Sequence, residues 1–152
     1  MTQLHFEKTI SRSPADVFAL IADFNGYSRW LDPSKLFDHL MEISENPVKL
    51  GTKYVDRGKS STMYGEVTDY EPPTVITFRQ RTAYKVGVTL GSLTVIIQYT
   101  LKSVPAGTLV MRDTTIKAGG FLWPVKAMLV NRIRPENERI LQAMKHALEA
   151  SS

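Results

Sequence analysis

The sequence contains no cysteine and only three histidines. The absence of cysteine excludes a disulfide framework, a thiol nucleophile and a thiolate metal site. The histidines, His5, His39 and His146, lie so far apart in sequence that a zinc site would require all three to converge or carboxylates to assist. A glycine-rich phosphate loop, a His-Glu-x-x-His helix and a Gly-x-Ser-x-Gly elbow are also missing. We therefore expect no metal and no other cofactor.

No stretch of the chain is apolar over the ~20 residues that a bilayer-spanning helix requires, so no integral membrane segment is expected. The opening residues MTQLH lack the basic-then-apolar pattern of a signal peptide, which fits a cytoplasmic protein. The net charge is only +4, and the nearest basic cluster consists of Arg79, Arg81 and Lys85. Such a cluster is more typical of a solvated strand face than of a nucleic-acid interface, so we expect no nucleic-acid partner.

The 152 residues have the composition of an ordinary globular domain. Apolar residues make up 43% and charged residues 22% of the chain, which is enough to build one substantial core. The sequence shows no internal repeat, no low-complexity tract and no linker. It therefore predicts a single domain over residues 1–152.

A strand followed by a capped helix is predicted near the N-terminus. Alternation of apolar and polar residues over 4–10 predicts the strand. Ser13 is suited to cap the helix, Pro14 suits its first position, and Asp16 completes a capping box of the acidic kind. Asn25-Gly26 breaks this helix, and a second short helical turn is expected after it.

The middle of the chain alternates between apolar and polar residues, which is typical of half-buried strands. These segments are rich in β-branched residues, and proline and glycine separate them. After the first strand, the predicted strands cover 37–43, 52–57, 63–70, 76–81, 93–101 and 109–116.

From about residue 122 to residue 150 the apolar period changes to that of a helix. Pro135 lies inside this segment and predicts a kink, because proline removes a backbone donor and clashes with the preceding turn. Two helices that meet near Arg134 are the alternative. The predicted apolar face consists of Val125, Met128, Leu129, Ile133, Ile140, Leu141, Met144 and Leu148.

Three local motifs follow one another along almost the whole chain. The first is SPADVF at 13–18, followed by Asp23-Phe24, Tyr27, Trp30 and Pro33. The second is GTKY at 51–54 with EVTDYEPP at 66–73, and the third is YTL at 99–101 with GTLV at 107–110. In this order they resemble the START-like (SRPBCC, or helix-grip) superfamily of polyketide cyclase/dehydrase and lipid-transport proteins.

The resemblance implies an α+β fold of the helix-grip type. Its parts are a seven-stranded antiparallel sheet curved around a long C-terminal helix, and two short helices after the first strand. A cavity between the sheet and the helix is implied as well, with a small hydrophobic molecule as the ligand. A fold does not fix a function, and this superfamily holds carriers, hormone receptors, cyclases, hydrolase-like enzymes and co-chaperones.

Strand alternation suggests which side chains would line such a cavity, and the two tryptophans would bracket its mouth. The polar residues that share the inward parity are the most informative, namely His39, Gln80, Arg112 and Thr114. An inward guanidinium is costly unless it meets a carboxylate, carbonyls or a ligand anion. Asp56 or Glu66 is the candidate partner, and a β-bulge that turns Arg112 to solvent is the alternative. The predicted ligand-binding residues are Trp30, His39, Tyr54, Phe78, Gln80, Ile97, Tyr99, Val110, Arg112, Trp123, Met128 and Leu129.

Three functions are compatible with these features. The first is binding or transport of a small hydrophobic molecule such as a lipid, a polyketide-like aromatic or an isoprenoid, which needs only a cavity and a gate. The second is a polyketide cyclase- or dehydratase-like enzyme that acts on an aromatic or polyketone substrate, with His39, Arg112 and Tyr99 as candidate catalytic groups. The third is an interaction module of the co-chaperone type. Because the sequence offers no dense cluster of inward acids and bases, binding is the favoured interpretation.

Overall fold

The computed structural model describes residues 2–32, 41–57, 61–86 and 89–150. Its strands are β1 (Thr2–Ile10), β2 (Met41–Ile43), β3 (Lys53–Arg57), β4 (Ser61–Glu71), β5 (Val75–Val86), β6 (Thr89–Val104) and β7 (Gly107–Gly120). Its helices are α1 (Pro14–Ala22), α2 (Lys126–Ala150) and two 3₁₀ helices, Phe24–Arg29 and Trp123–Val125. The strands pair antiparallel in the order β1-β7-β6-β5-β4-β3-β2.

This architecture confirms the predicted fold class: seven antiparallel strands, two short helices after the first strand, and a long C-terminal helix. Strands β5, β6 and β7 are longer than their apolar alternation indicated. Of the predicted strand 37–43, the structure describes only Met41–Ile43. His39 therefore lies outside the described residues.

The start of α1 follows the predicted capping chemistry. The Asp16 backbone N–H donates to Ser13 Oγ over 3.2 Å, and Pro14 occupies the first turn. The Asp16 carboxylate accepts a hydrogen bond from Arg12 Nε at 3.0 Å rather than from the Ser13 N–H of the predicted capping box, so it ties the helix to the bend before it. Because the start is fixed in this way, the apolar side of α1 faces the core, where Val17, Phe18, Ile21 and Ala22 are buried.

The register of β7 decides which of its side chains point inward. Residues 2–10 of β1 and residues 91–104 of β6 pair with β7 without a shift. Strict alternation therefore holds along β7, and the side chains of Thr108, Val110, Arg112, Thr114 and Ile116 are all buried. No bulge turns Arg112 to solvent, so that alternative is wrong. The face of the sheet that carries these buried residues is called the inner face below.

Helix α2 is one continuous helix through Pro135, so the two-helix alternative is wrong. Its buried residues recur at helical spacing and are Val130, Asn137, Leu141, Met144 and Leu148. The predicted apolar face is therefore confirmed in the C-terminal half, whereas Val125 and Met128 are exposed. The reason is that α2 packs against β1 and β7, and the stripe that meets them passes through Val130 rather than Met128.

His5 lies on the outer face of β1 between two carboxylates. Its Nε2 is 2.8 Å from Glu7 Oε1, and its Nδ1 is 2.5 Å from Asp113 Oδ1 across the strand pair. The hydrogen bond with Glu7 and then that with Asp113 raise the pKa of His5 above 6.5. The resulting contribution to stability is present below that pH and is lost as pH rises through the folded pKa.

We therefore expect the His5 imidazole to titrate above pH 6.5 in an NMR pH titration. Replacing Asp113 by asparagine should move this midpoint down, because a carboxylate that favours the imidazolium is removed. The matched change Asp69→Asn alters an exposed carboxylate on another strand and should leave the midpoint where it was. A His5 midpoint that does not respond to Asp113→Asn would contradict the observed pairing.

Candidate functional site

Arg112 is the most unusual side chain of the inner face, because a guanidinium here is only 6% exposed. Strand pairing places it directly between Phe6 of β1 and Tyr99 of β6. Its Nε–H donates to Asn137 Oδ1 of α2 at 2.5 Å, and its Nη1 donates to the Tyr99 hydroxyl. The guanidinium carbon also lies 5.1 Å from the centre of the Tyr99 ring.

Asn137 holds this group together from the helix side. Its Oδ1 accepts a second hydrogen bond from Thr114 Oγ1 at 2.9 Å, and its Nδ2 donates to the Ile133 carbonyl oxygen at 2.9 Å. The side-chain amide is therefore fixed by its own helix and by β7 at once. We call Tyr99, Arg112, Thr114 and Asn137 the buried polar cluster.

No carboxylate takes part in the buried polar cluster. The expected pairing of Arg112 with Asp56 or Glu66 is wrong, since its partners within the described residues are the neutral Tyr99 and Asn137. Glu66 cannot reach Arg112, because its side chain points to the outer face, where Glu66 lies opposite Lys53 and Arg79 in the strand register. A positive charge is thus buried with neutral hydrogen-bond acceptors. This arrangement favours the binding of an anion or of a strongly polarised oxygen atom.

A second polar contact crosses the sheet at Gly65. Tyr54 and Gln80 both lie opposite Gly65 in the register, one on each side. Because glycine has no side chain, the Tyr54 ring lies across it, and Gln80 Nε2 donates to the Tyr54 hydroxyl at 2.9 Å. Burial raises the pKa of the Tyr54 hydroxyl, although the hydrogen bond from Gln80 and the charge of Arg112 oppose this shift. Tyr54 is therefore a neutral hydrogen-bonding group at all ordinary pH values.

Aromatic rings connect these two polar contacts. Phe78 lies 6.3 Å from Tyr99 and 6.4 Å from Tyr54, measured between ring centres. Phe24 of the 3₁₀ helix packs on both Tyr54 and Phe78, at 4.9 and 5.3 Å. Tyr27 then contacts Phe24 at 5.1 Å and donates its hydroxyl to the Ile21 carbonyl oxygen. The 3₁₀ helix is thus an aromatic cover over one part of the inner face.

Other apolar side chains on the inner face are only partly covered. Leu93 and Val95 of β6 and Met63 of β4 are half-buried, although each packs against the core. Val95 lies between Gln80 and Ile116 in the register. This part of the inner face lies toward the start of β6, away from the aromatic cover.

The structure brings most of the predicted binding residues to one face. Tyr54, Phe78, Gln80, Ile97, Tyr99, Val110 and Arg112 all lie on the inner face. Trp30 joins them through Tyr27, at 5.0 Å between ring centres, and its Nε1 is buried without an acceptor among the described residues. Leu129 is half-buried, whereas Trp123 and Met128 are exposed at the start of α2. Whether any of these side chains touches a ligand stays a prediction.

Sequence reasoning did not include Asn137, Phe24 or Tyr27 among the candidates. Asn137 had a recognisable signal, because it lies at the same helical spacing as Ile133, Leu141 and Met144. A polar residue on an apolar helix face requires a buried partner. Phe24 is part of the first sequence motif. Its contacts across the sheet depend on the path of the chain after α1, so they could not be predicted from the sequence.

The residues with described positions contain no group of three His, Cys, Asp or Glu side chains placed to hold a metal ion. None of their helices is both long and apolar enough to span a membrane.

Comparison with known proteins shows the family of this chain. Residues 1–149 match the family described as polyketide cyclase/dehydrase and lipid transport. The fold is similar to protein MLL2253 from Mesorhizobium loti, with a TM-score of 0.74, 15% identity and 99% of each chain covered. It is also similar to Ara h 8.0201, with a TM-score of 0.69, 18% identity and 98% of each chain covered.

DynU16, a protein in the dynemicin biosynthetic locus, is a third similar structure. Its TM-score is 0.67 at 16% identity, over 99% of this chain and 48% of that one. At such identities the likeness extends to the fold alone. No curated protein matches the sequence. The match over residues 1–149 and the shared helix-grip fold show that this chain belongs to the polyketide cyclase/dehydrase and lipid-transport family of START-like proteins.

Proposed function

We propose that this protein binds a small, largely apolar molecule between the inner face and α2, and that Arg112 holds an anionic or enolic oxygen of that molecule. The observation that carries the proposal is the burial of Arg112 with neutral partners only, among the residues whose positions are described. The family description of lipid transport and polyketide chemistry is consistent with such a ligand.

The energetics favour a ligand role for Arg112 over a purely structural one. A guanidinium loses much of its hydration when buried, and two hydrogen bonds to neutral oxygens offset only part of that cost. Arginine also carries more N–H donors than these two contacts use. A carboxylate, a sulfonate or an enolate oxygen would use the remaining donors and neutralise the charge.

The rest of the site suits an apolar body attached to that oxygen. Phe78 and Tyr99 present aromatic surfaces next to Arg112, and planar ligands pack well on such rings. Leu93 and Val95 continue the apolar wall toward the start of β6, where the inner face is less covered. A ligand with its polar end at Arg112 and its body along these residues is the arrangement we expect.

Cyclase- or dehydratase-like chemistry is the second candidate function. The contact between Arg112 and the Tyr99 hydroxyl favours it, because two donors side by side can stabilise an enolate that forms during proton abstraction. A general base beside them is not found among the described residues, and the predicted His39 lies outside them. If the protein turns over a polyketone substrate and the Arg112→Met variant does not, the enzymatic function would be favoured over the carrier function.

The binding proposal can be tested with anilinonaphthalene sulfonate (ANS), which joins an aromatic body to an anionic oxygen. We expect saturable, one-to-one binding, measured by ANS fluorescence, to protein with an intact near-ultraviolet circular dichroism spectrum. Val95→Trp should fill the uncovered part of the inner face and lower the affinity at least about tenfold. Ile96→Trp is the matched control. Ile96 is the residue next to Val95, and its side chain points to the outer face, so this change should leave ANS binding unchanged.

Two results would contradict the proposal. Equal affinities in the two tryptophan variants would place the ANS site elsewhere. Unfolding of Val95→Trp alone would mean that the interior has no room for an added ring and is a filled core.

A further inference from the structure

Four exposed apolar side chains lie together where β7 passes into α2. Trp123 is 69% exposed, Met128 is 49% exposed, and Val125 between them is exposed too. Leu90 at the start of β6 is 65% exposed, and its carbonyl oxygen accepts a hydrogen bond from the Phe121 N–H, which holds it beside this turn. These four make up most of the large apolar side chains that are exposed within the described ranges. Leu90, Trp123, Val125 and Met128 are called the apolar tip.

The apolar tip lies beside the side of the helix that faces the core. Met128 and Arg132 lie at i and i+4 and share one side of α2, and Val125 ends the 3₁₀ helix just before it. Val130 and Ile133 share a different side, which packs toward the sheet. The apolar surface at the start of the helix is therefore wider than the part that the sheet covers.

Four basic residues lie near the apolar tip in the sequence, and one of them, Arg132, shares the Met128 side of α2. Between Asp113 and Glu136 the sequence has four basic residues and no acidic one. None of the four forms an ion pair or a side-chain hydrogen bond with another described residue. Farther along α2, in contrast, Lys145 pairs with Glu149 at 2.7 Å. The four unpaired cations are Lys117, Lys126, Arg132 and Arg134.

We propose that the apolar tip docks on the surface of an anionic phospholipid bilayer. An exposed tryptophan suits the headgroup region, and the smaller apolar side chains can enter the acyl boundary. Arg132 and the other nearby cations complement the negative potential of such a surface. A second copy of this chain fits less well, because two tips in contact would bring their unpaired positive charges together. The proposal does not depend on the interior site, and its test uses no ligand.

Cosedimentation with vesicles tests the proposal directly. We expect the protein to bind vesicles of phosphatidylcholine that contain about one third phosphatidylserine, and to bind pure phosphatidylcholine vesicles far more weakly. Trp123→Ala should weaken binding about tenfold, because the largest apolar group of the tip is lost. Tyr64→Ala is the matched control, since Tyr64 is an exposed aromatic on the outer face of β4 and should have no effect.

Charge reversal separates local attraction from net charge. Arg132→Glu and Lys102→Glu change the net charge equally, but Lys102 lies on β6 at the opposite end from Leu90. Arg132→Glu should lower binding to the anionic vesicles about tenfold, whereas Lys102→Glu should change it little. Equal losses in the two variants would overturn the proposal, because binding would then follow only the net charge.

Tryptophan emission gives a second, independent readout. Vesicles should shift the emission of the natural protein to shorter wavelength, and Trp123→Ala should abolish that shift although Trp30 is still present. Failure to bind anionic vesicles, or binding that is insensitive to Trp123→Ala, would overturn the proposal. So would a dimer, detected by sedimentation velocity, that Trp123→Ala converts to a monomer.

Discussion

Replacing Arg112 with methionine is expected to weaken ANS binding about a hundredfold and yet not to destabilise the fold. Methionine has a similar length and no charge, so it removes the expected partner of the sulfonate and also the cost of burying a guanidinium. Replacing buried charged groups by apolar ones of similar volume is often neutral or stabilising by about 1–3 kcal/mol. We expect the free energy of unfolding, measured by urea denaturation, to stay the same or rise by that amount.

Asn137→Leu provides the matched control inside the same cluster. This change leaves the Arg112 guanidinium and the Thr114 hydroxyl without the acceptor that they share. An uncompensated buried charge is strongly destabilising, so we expect the free energy of unfolding to fall by about 3 kcal/mol. If Arg112→Met destabilised the protein as much as Asn137→Leu, Arg112 would be a structural residue and the proposed binding role would lose its basis.

Gly65→Ala is expected to lower the free energy of unfolding by about 2–3 kcal/mol. A methyl group at this position would lie 2.2 Å from the Tyr54 ring, which is one of the most deeply buried side chains. The ring cannot move freely, because Phe24 packs on it and Gln80 donates to its hydroxyl. The added methyl must therefore displace the ring and weaken both contacts.

Two comparisons isolate the cause of this effect. Gly119→Ala meets only the flexible Ser92 hydroxyl, at 2.9 Å, and should cost less than about 1 kcal/mol. In a double-mutant cycle, Gly65→Ala should cost much less when Tyr54 has already been replaced by leucine, because the clashing ring is gone. Additive effects of the two changes would contradict the close approach between the ring and Gly65.

The inward position of Arg112 could be predicted from the sequence because β7 keeps strict alternation. Its neighbours Val110 and Ile116 set the parity, and pairing on both sides maintains the register through Arg112. The partners of Arg112 could not be predicted in the same way. Asn137 belongs to a helix far along the chain, and its contact depends on how α2 is rotated over β1 and β7.

The exposed residues at the start of α2 could not be predicted either, because they too depend on how the helix is rotated on the sheet. Apolar spacing alone assigned Val125 and Met128 to the buried face. How much of this apolar surface is buried depends on where the helix meets the sheet, and the buried side passes through Val130 rather than Met128. The caps of α1 were predictable, since Ser13 acts on a backbone N–H only three residues away.

The proposed function joins these local findings. A carrier needs a hollow that is apolar for most of its length and a fixed group that orients the ligand. In the proposed carrier, the aromatic residues Phe24, Phe78 and Tyr99 would supply one apolar end, and the buried polar cluster would supply the fixed group. Cluster residues come from β6, β7 and α2, so the proposed site would depend on the same packing that holds the helix on the sheet.

A crystal structure of the protein with ANS bound is the most direct measurement. We predict that a sulfonate oxygen lies about 3 Å from the Arg112 guanidinium, and that the naphthalene ring lies between the inner face and α2, near Val95. ANS bound only at Trp123 on the surface, with side chains filling the space beside Arg112, would contradict that prediction.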